Sequence, residues 1–509
     1  MNGTYALILG QVASKLLTFG LNQALISSVD PPTLGLATFL EFITNSILFF
    51  SREAVRLSTQ RTSSSGVSAE QSVINFGYVP VILSIPLSCL ALLWNWPSRT
   101  FQEEFLPLPA STLSLVILAV SLALELSIEP LYELNQYHMN LGNKAQFESL
   151  GILCRGVVTV LLLKWKPLNS SLLAFMCGQL AYSFVQFIGY LKVNVPPGVS
   201  GLARRLPNGG WLDKQIVQVW KALFVQMIFK QVLTEGDKLV INHFFPLSTQ
   251  AVYAVMSNYG SILARLVFSP IEESSRVWFT KVMAMTSDKS DQRRVISALK
   301  SIEDVCVGYL HFTVLLLMAG IPNAAYVLRL VLRGAAAKWD GTDLFTSFGN
   351  YVWYLALLAF NGIFEALFTS VATTKELKYY SYFMTSSCLV FFLVSKLAIE
   401  HWHLELSGLI LANAVNMLMR IIWCSYHLHN TFVRRFGIHI DKIRVLAYIA
   451  KCALLFIVGN GVQKYINGTT TTTTFRQFFN SGVICGISLL VQISWEYPRI
   501  RSYVKRKKE

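Results

Sequence analysis

Apolar runs of about twenty residues follow one another along almost the whole chain, and this length is what a helix needs to cross the hydrocarbon core of a bilayer. About fourteen spans are predicted, near residues 5–28, 32–59, 73–95, 111–137, 145–165, 170–192, 215–243, 250–280, 302–321, 346–373, 379–400, 404–430, 442–465 and 476–495. The mean hydropathy is +0.48, and only 14% of the 509 residues are charged. Such a composition excludes a soluble globule of this size. The sequence therefore predicts an all-α polytopic membrane protein.

The distribution of lysine and arginine between the loops predicts the orientation of these spans. If the amino terminus is cytosolic, the cytosolic loops hold roughly three times as many basic residues as the opposite loops, and the positive-inside rule then places both termini in the cytosol. The candidate N-glycosylation sites Asn169 and Asn467 fall in the predicted lumenal loops. Lys505 and Lys507 have the spacing of a dilysine signal for retrieval to the endoplasmic reticulum. The alternative is that this basic tail only stops translocation.

Two parts of the chain repeat each other at an offset of 216 residues. The matching positions are Thr18 and Gly20 with Thr234 and Gly236, and residues 33–37 with 249–253, and prolines precede both span two and span eight. Secondary transporters are commonly built from such repeats, and their substrate site lies at the repeat interface. We therefore expect spans one, two, seven and eight to line a central cavity.

Basic side chains lie in the same four spans, although the repeat argument did not use them. An ionisable group in hydrocarbon is retained where it faces a wet cavity or a partner. Paired arginines one helical turn apart, as at Arg52 and Arg56, bind phosphate oxygens in a bidentate manner. The alternative is that these two arginines form the cytosolic flank of span two. The residues predicted to line a basic, water-filled cavity are Lys15, Asn22, Arg52, Arg56, Lys230 and Arg265.

Other charged residues inside the spans have two open interpretations. Candidates for gating or for structural ion pairs are Glu41, Glu53, Glu235, Asp237, Lys238, Glu272, Glu273 and Arg276. Within this set, helical spacing predicts the pairs Glu235–Lys238 and Glu272–Arg276. Proton transfer or structural roles are open for Glu125, Glu129, Glu133 and Glu365. The first three form an acidic edge on span four, and Arg155 on the next span is a candidate partner for them.

The chain carries no motif for catalysis or metal binding. It has no phosphate-binding G-x-x-x-x-G-K-[ST] sequence, and His401 and His403 lie beside Trp402 at a predicted lumenal interface. A membrane glycosyltransferase would need sizeable lumenal loops, whereas the predicted ones are short. We expect no enzymatic activity, no catalytic residue, no cofactor and no metal.

Several segments resemble the eukaryotic Rft family of oligosaccharide translocation proteins, and the similarity runs along nearly the whole chain. The segments are residues 35–41, 49–58, 233–238, 258–265 and 270–274. The resemblance implies an endoplasmic reticulum protein of the N-glycosylation pathway that moves a dolichol-pyrophosphate-linked oligosaccharide from the cytosolic to the lumenal leaflet. It also implies the fold of MurJ-like lipid flippases of the MOP superfamily, with two six-helix lobes and two extra helices.

The domain organisation expected from this fold has five parts. They are an N-terminal lobe of spans one to six (1–192), a cytosolic linker (193–214), a C-terminal lobe of spans seven to twelve (215–432), two extra helices (433–497) and a basic tail (498–509). The expected partners are dolichol-linked oligosaccharide, lipids of the endoplasmic reticulum membrane and glycosyltransferases of that membrane. We expect a monomer that binds no nucleic acid.

Alternating access around the basic cavity is the mechanism that this organisation favours. Two alternatives remain open. One alternative is a non-transporting scaffold that supports lumenal use of lipid-linked oligosaccharide. The other is a transporter of the same fold for another anionic lipid-linked substrate.

Overall fold

The computed structural model describes residues 20–60, 66–98, 100–138, 140–165, 171–207, 209–284, 292–436 and 442–506. Within these ranges every regular element is a helix, and thirteen helical stretches are long and apolar enough to cross a membrane. Of the first predicted span, only the end is described, and residues 20–28 of it form helix α1. The prediction of an all-α, multi-pass membrane protein is therefore confirmed.

Contacts divide the chain into two compact units. The first holds residues up to Ala254 together with Gly334–Trp339, and the second holds the rest. The first unit contains α2 (Pro31–Thr59), α3 (Val67–Phe76), α4 (Val79–Asn95), α5 (Ser111–Ser127), α6 (Glu129–Tyr137), α7 (Leu141–Trp165), α8 (Ser171–Leu191), α9 (Lys214–Phe244) and the beginning of α10 (Leu247–Leu263).

The second unit contains the end of α10 and the remaining helices. They are α11 (Ser269–Ala284), α12 (Gln292–Leu332), α13 (Leu344–Val371), α14 (Thr374–Lys396), α15 (Glu405–Phe436), α16 (Lys442–Asn467) and α17 (Phe475–Arg506). A π-helical segment, Ala264–Phe268, joins α10 to α11. Most predicted spans agree with these helices to within a few residues.

Helix α9 belongs to the first unit, although the sequence repeat assigns it to the C-terminal lobe. It packs along α2 through a buried cluster of Ala54, Leu223 and Met227. The division by contacts therefore falls later in the chain than the predicted linker at 193–214, because burial of this apolar face joins α9 to α2. The predicted lobe boundaries rest on the sequence repeat, so they remain a prediction beside this division by contacts.

The predicted linker is folded onto α3. The buried side chain of Asn75 donates hydrogen bonds to the carbonyl oxygens of Arg204 (2.6 Å) and Trp211 (2.8 Å). The buried amide of Gln71 donates to the carbonyl oxygens of Ser200 (3.3 Å) and Leu202 (3.1 Å). Since buried amides satisfy the backbone of an irregular segment, the linker is an ordered part of the first unit.

The break between paired helices recurs at the predicted repeat offset. Residues 29–30 separate α1 from α2, and residues 245–246, 216 positions later, separate α9 from α10. The beginnings of α2 and α10 also touch, because a Cβ atom on Gly35 would lie 1.8 Å from the carbonyl oxygen of Leu247. Only glycine permits this approach.

Predicted spans three and four are each built from two helices. The first is interrupted at Gly77 and the second at Ile128, just before Pro130. These two interruptions pack together, since a Cβ atom on Gly77 would lie 2.4 Å from the Cα atom of Pro130. This contact fixes where α6 begins and hence where the acidic edge faces.

Helix α12 is longer than predicted, because it continues through Pro322 to Leu332 instead of ending near residue 321. Proline lacks the N–H group that would bond the carbonyl oxygen of Met318. The side-chain amide of Gln463 on α16 donates to that oxygen instead, at 3.2 Å, and the backbone N–H of Thr472 donates to the carbonyl oxygen of Pro322 at 2.9 Å. The Gln463 amide thus replaces the donor that the proline removes, and the helix is not broken.

Candidate functional site

The arginines of α2 face the acidic edge of α5 and α6. Arg52 Nη1 lies 3.3 Å from Glu125 Oε2, and Arg56 binds both carboxylate oxygens of Glu129, with Nε to Oε2 at 3.1 Å. One turn further, Thr59 Oγ1 is hydrogen bonded to Glu133. We call these three contacts between α2 and α5–α6 the polar ladder.

Further contacts hold the polar ladder in place. Glu125 accepts hydrogen bonds from Gln179 (2.9 Å) and Ser183 (3.0 Å) on α8. The guanidinium carbon of Arg56 lies 3.7 Å from the ring centre of Tyr132, a cation–π contact. Since the carboxylates of the ladder are almost fully buried, their charge must be neutralised inside the unit.

The predicted partner of the acidic edge is wrong. Arg155 on α7 forms a bidentate ion pair with Glu41 on α2, at 2.9 and 3.2 Å, rather than with an acidic-edge carboxylate. A small cavity of about 20 Å³ adjoins this pair, and Thr44, Asn45 and Gln179 are among the residues that line it. Because Gln179 also bonds Glu125, the cavity lies directly beside the polar ladder.

The predicted free cations of span two are paired in the structure. Arg52 and Arg56 do share one face of α2, as predicted, but that face is directed to carboxylates of the same unit. The physical reason is the cost of leaving an unpaired charge at low dielectric. Asn22 on α1 is half-buried, and Lys15 lies outside the described residues.

Lys230 and Arg265 have a different environment. Both side chains are exposed, and neither lies within ion-pair distance of a carboxylate among the described residues. The Arg265 guanidinium bonds Ser261 on the preceding turn, through its carbonyl oxygen at 3.2 Å and its hydroxyl. Arg265 also lies in the π-helical segment, a local distortion that is frequent at functional sites. No carboxylate of the described residues therefore neutralises these two cations.

The ion pairs predicted from helical spacing have different outcomes. Lys238 Nζ lies 2.6 Å from Glu235, so this predicted pair is present, and the backbone of α9 departs from helical geometry at Glu235. Asp237 accepts a hydrogen bond from Tyr253. No pair between Glu272 and Arg276 is found in the described part of the chain. The Glu272 carboxylate instead lies against Gly362 of α13, whose missing Cβ leaves room for it. Glu53 and Glu273 likewise lack an ion-pair partner within the described ranges.

The second unit holds two polar clusters of its own. Glu365, predicted to be a proton-transfer or structural carboxylate, forms an ion pair with Arg420. Sequence reasoning missed the other cluster, in which Tyr448 on α16 contacts His311 on α12 (2.6 Å) and donates to Glu496 on α17 (2.7 Å). Its members are far apart in the sequence and share no spacing pattern.

The candidate modification and retrieval residues are only partly described. Asn467 ends α16, its amide nitrogen donates to the carbonyl oxygen of Gln477 (3.4 Å), and its amide oxygen accepts from Asn480 (3.1 Å). Asn169 and Lys507 lie outside the described residues, and Lys505 is in the last turn of α17.

Comparison with known proteins identifies the family. The sequence profile of the Rft protein family matches residues 1–506. The chain is similar to the Man(5)GlcNAc(2)-PP-dolichol translocation protein RFT1 of Candida albicans, with 34% identity over 94% of this chain and 90% of that protein. Its similarity to the mouse protein of the same name is 28% over 84% of this chain and 81% of that protein.

Solved structures show the same fold. The chain is similar to the lipid II flippase MurJ in an inward closed conformation, with a TM-score of 0.62 and 14% identity over 97% of this chain and 99% of MurJ. It is also similar to an inward-facing multidrug resistance MATE transporter of the MOP superfamily, with a TM-score of 0.57 and 13% identity over 82% of this chain and 94% of that one. The predicted MurJ-like fold is confirmed. By its end-to-end match to the family profile, the chain belongs to the Rft protein family.

Proposed function

We propose that this protein moves a dolichol-pyrophosphate-linked oligosaccharide from the cytosolic to the lumenal leaflet of the endoplasmic reticulum membrane, in the pathway of protein N-glycosylation. The observation that carries the proposal is the similarity to proteins named for this translocation, which extends over about nine tenths of the Candida albicans relative. The MurJ-like fold supports it, because folds built from two repeated halves allow alternating access.

The headgroup is bound by cations that have no carboxylate partner. Lys230 and Arg265 meet this condition among the described residues. Lys15 and the neutral side chain of Asn22 are included because the repeat predicts that span one lines the same cavity. Arg52 and Arg56 have a different part in this proposal, since the polar ladder keeps them neutralised and fixes the position of α2. The dolichol chain stays in the lipid, and no covalent step, catalytic residue, cofactor or metal is required.

A second candidate is favoured by the polar ladder itself. If the intramembrane arginines serve only to hold the first unit together, the protein supports lumenal use of the lipid-linked oligosaccharide without moving it. In that case its partners are glycosyltransferases of the same membrane, and the chain acts as a scaffold within the membrane lipids.

Vesicle reconstitution distinguishes the two candidates. We expect purified monomeric protein in sealed vesicles to transfer a dolichol-pyrophosphate oligosaccharide between leaflets, measured by protection of the glycan from an external glycosidase. Arg265→Ala and Lys230→Ala should reduce this transfer while leaving the amount of folded protein unchanged. Lys378→Ala, which removes an exposed cation of α14, is the matched control and should transfer normally. Folded wild-type protein that transfers nothing would support the scaffold instead.

A further inference from the structure

The polar ladder contains more carboxylates than guanidinium groups. Arg52 contacts Glu125 and Glu129, and Arg56 binds Glu129. The third carboxylate, Glu133, is 0% exposed and has no ion-pair partner in the described part of the chain. The neighbouring ion pair of Glu41 with Arg155 is balanced. Glu133 is therefore the unneutralised group of the ladder.

The surroundings of Glu133 offer it little compensation. One of its oxygens, Oε1, is buried without a hydrogen-bond partner, and the other contacts Thr59. The charged and titratable groups on the elements around it are Arg52, Glu53 and Arg56 on α2, Glu70 with its partner His138 from α3 and the end of α6, Glu125 on α5, Glu129 and Tyr132 on α6, Lys144 and Glu148 on α7 and Tyr190 on α8. Of these, Arg56 is engaged by Glu129, and Lys144 points to the ring of Tyr132, 5.6 Å from its centre.

The hydroxyl of Thr59 is placed to accept a hydrogen bond from a neutral Glu133. Thr59 Oγ1 is 3.0 Å from the carbonyl oxygen of Arg56 and 3.2 Å from that of Val55, the usual bond of a threonine to the preceding turn of its helix. A hydroxyl has one proton, and donating it to a carbonyl leaves only its lone pairs for Glu133. The hydrogen bond between Thr59 and Glu133 then needs a proton from the glutamate.

The cost of burial favours the same assignment. An isolated carboxylate inside a protein is strongly disfavoured, and such a group takes up a proton instead. We propose that Glu133 is a proton-binding site, with a neutral carboxylic acid that donates its hydrogen bond to Thr59 when α2 and α6 are packed together. This proposal does not rest on the proposed function.

Infrared spectroscopy of the full-length protein in lipid nanodiscs tests the protonation directly. At neutral pH we expect the wild-type spectrum to contain the C=O stretch of a protonated carboxylic acid, and we expect Glu133→Gln to remove it. Glu365→Gln is the control, because Glu365 is paired with Arg420 in the second unit and belongs to no contact of the polar ladder, and it should leave the band in place. A wild-type spectrum without the band, or a band that persists in Glu133→Gln, would overturn the assignment.

Thermal unfolding as a function of pH gives a second, independent readout. If the native state holds a proton that the unfolded state releases, stability falls as pH rises. We expect Glu133→Gln, which is isosteric and neutral, to unfold at or above the wild-type temperature at neutral pH. Its stability should also decrease less with rising pH than that of the wild type. Thr59→Val should lower the unfolding temperature both in the wild type and in the Glu133→Gln background, because the glutamine amide donates to the Thr59 hydroxyl as the carboxylic acid does. A Glu133→Gln protein that loses as much stability as Glu129→Gln would mean that Glu133 is ionised and paired, contrary to the proposal.

Discussion

Buried charge explains most of what the individual residues do in the first unit. Arginine stays protonated under all ordinary conditions, so an arginine inside the membrane needs a carboxylate, an aromatic face or water. Arg56 has the first two, in Glu129 and Tyr132. A side chain that looks like a free cation in the sequence thus becomes one half of a structural pair.

Substitutions in the Arg56–Glu129 pair should lower the free energy of unfolding of the protein. We expect Arg56→Gln or Glu129→Gln alone to destabilise the protein by about 3–5 kcal/mol, because each leaves an uncompensated buried charge. The double variant should lose less than the sum of the two, since both charges are then absent. Thermal unfolding of the purified variants in detergent measures this coupling. Strictly additive losses would show that the two side chains do not depend on each other.

Sequence reasoning predicted the shared face of Arg52 and Arg56 but not their partners. The missed signal is a matching spacing, since the arginines of span two and the carboxylates Glu125 and Glu129 of span four are both four residues apart. Both spans have even numbers and therefore run in the same direction, which allows the two sets to meet in register. Spacing cannot say which helices are neighbours, and this is why Arg155 was the wrong partner.

For the helices, the sequence predicted where each helix lies along the chain better than the residue at which it ends. Span length follows from bilayer thickness, and the break between α9 and α10 follows from Pro246 and from the repeat. The end of α12 was predicted too early, because a proline inside an apolar run looks like a helix terminus. The compensation by Gln463 comes from 145 residues away in the chain.

This compensation can be tested with two substitutions. Gln463→Leu removes the donor to the carbonyl oxygen of Met318 and should cost about 1–3 kcal/mol of stability, the usual penalty for a buried unsatisfied polar group. Pro322→Ala restores the backbone N–H that bonds the same oxygen, so in that background Gln463→Leu should cost much less. Unfolding temperatures of the four proteins provide the measurement. An equal loss in both backgrounds would assign Gln463 another role.

For the whole molecule, the family match supports the proposed lipid-linked substrate, whereas the predicted orientation rests on the charge bias of the loops alone. The orientation has its own consequence for loop accessibility. We expect a protease site inserted after Phe436 to be cut in sealed microsomes, because basic residues flank that loop on the predicted cytosolic side. A site inserted at residues 468–470 should be protected until detergent is added. The reverse pattern would contradict the orientation.

The class of this protein can be read from its amino acids, because the number, length and spacing of apolar runs follow directly from the thickness of a bilayer and from the cost of unpaired backbone groups within it. The same is true of the repeat, since the break at residues 245–246 recurs at the offset that the sequence predicts. Which charges meet became known only from the packing of the helices. Whether Arg52 is a free cation or the partner of Glu125 depends on which helices pack together, and contacts between residues distant in the chain leave no periodic pattern in the sequence.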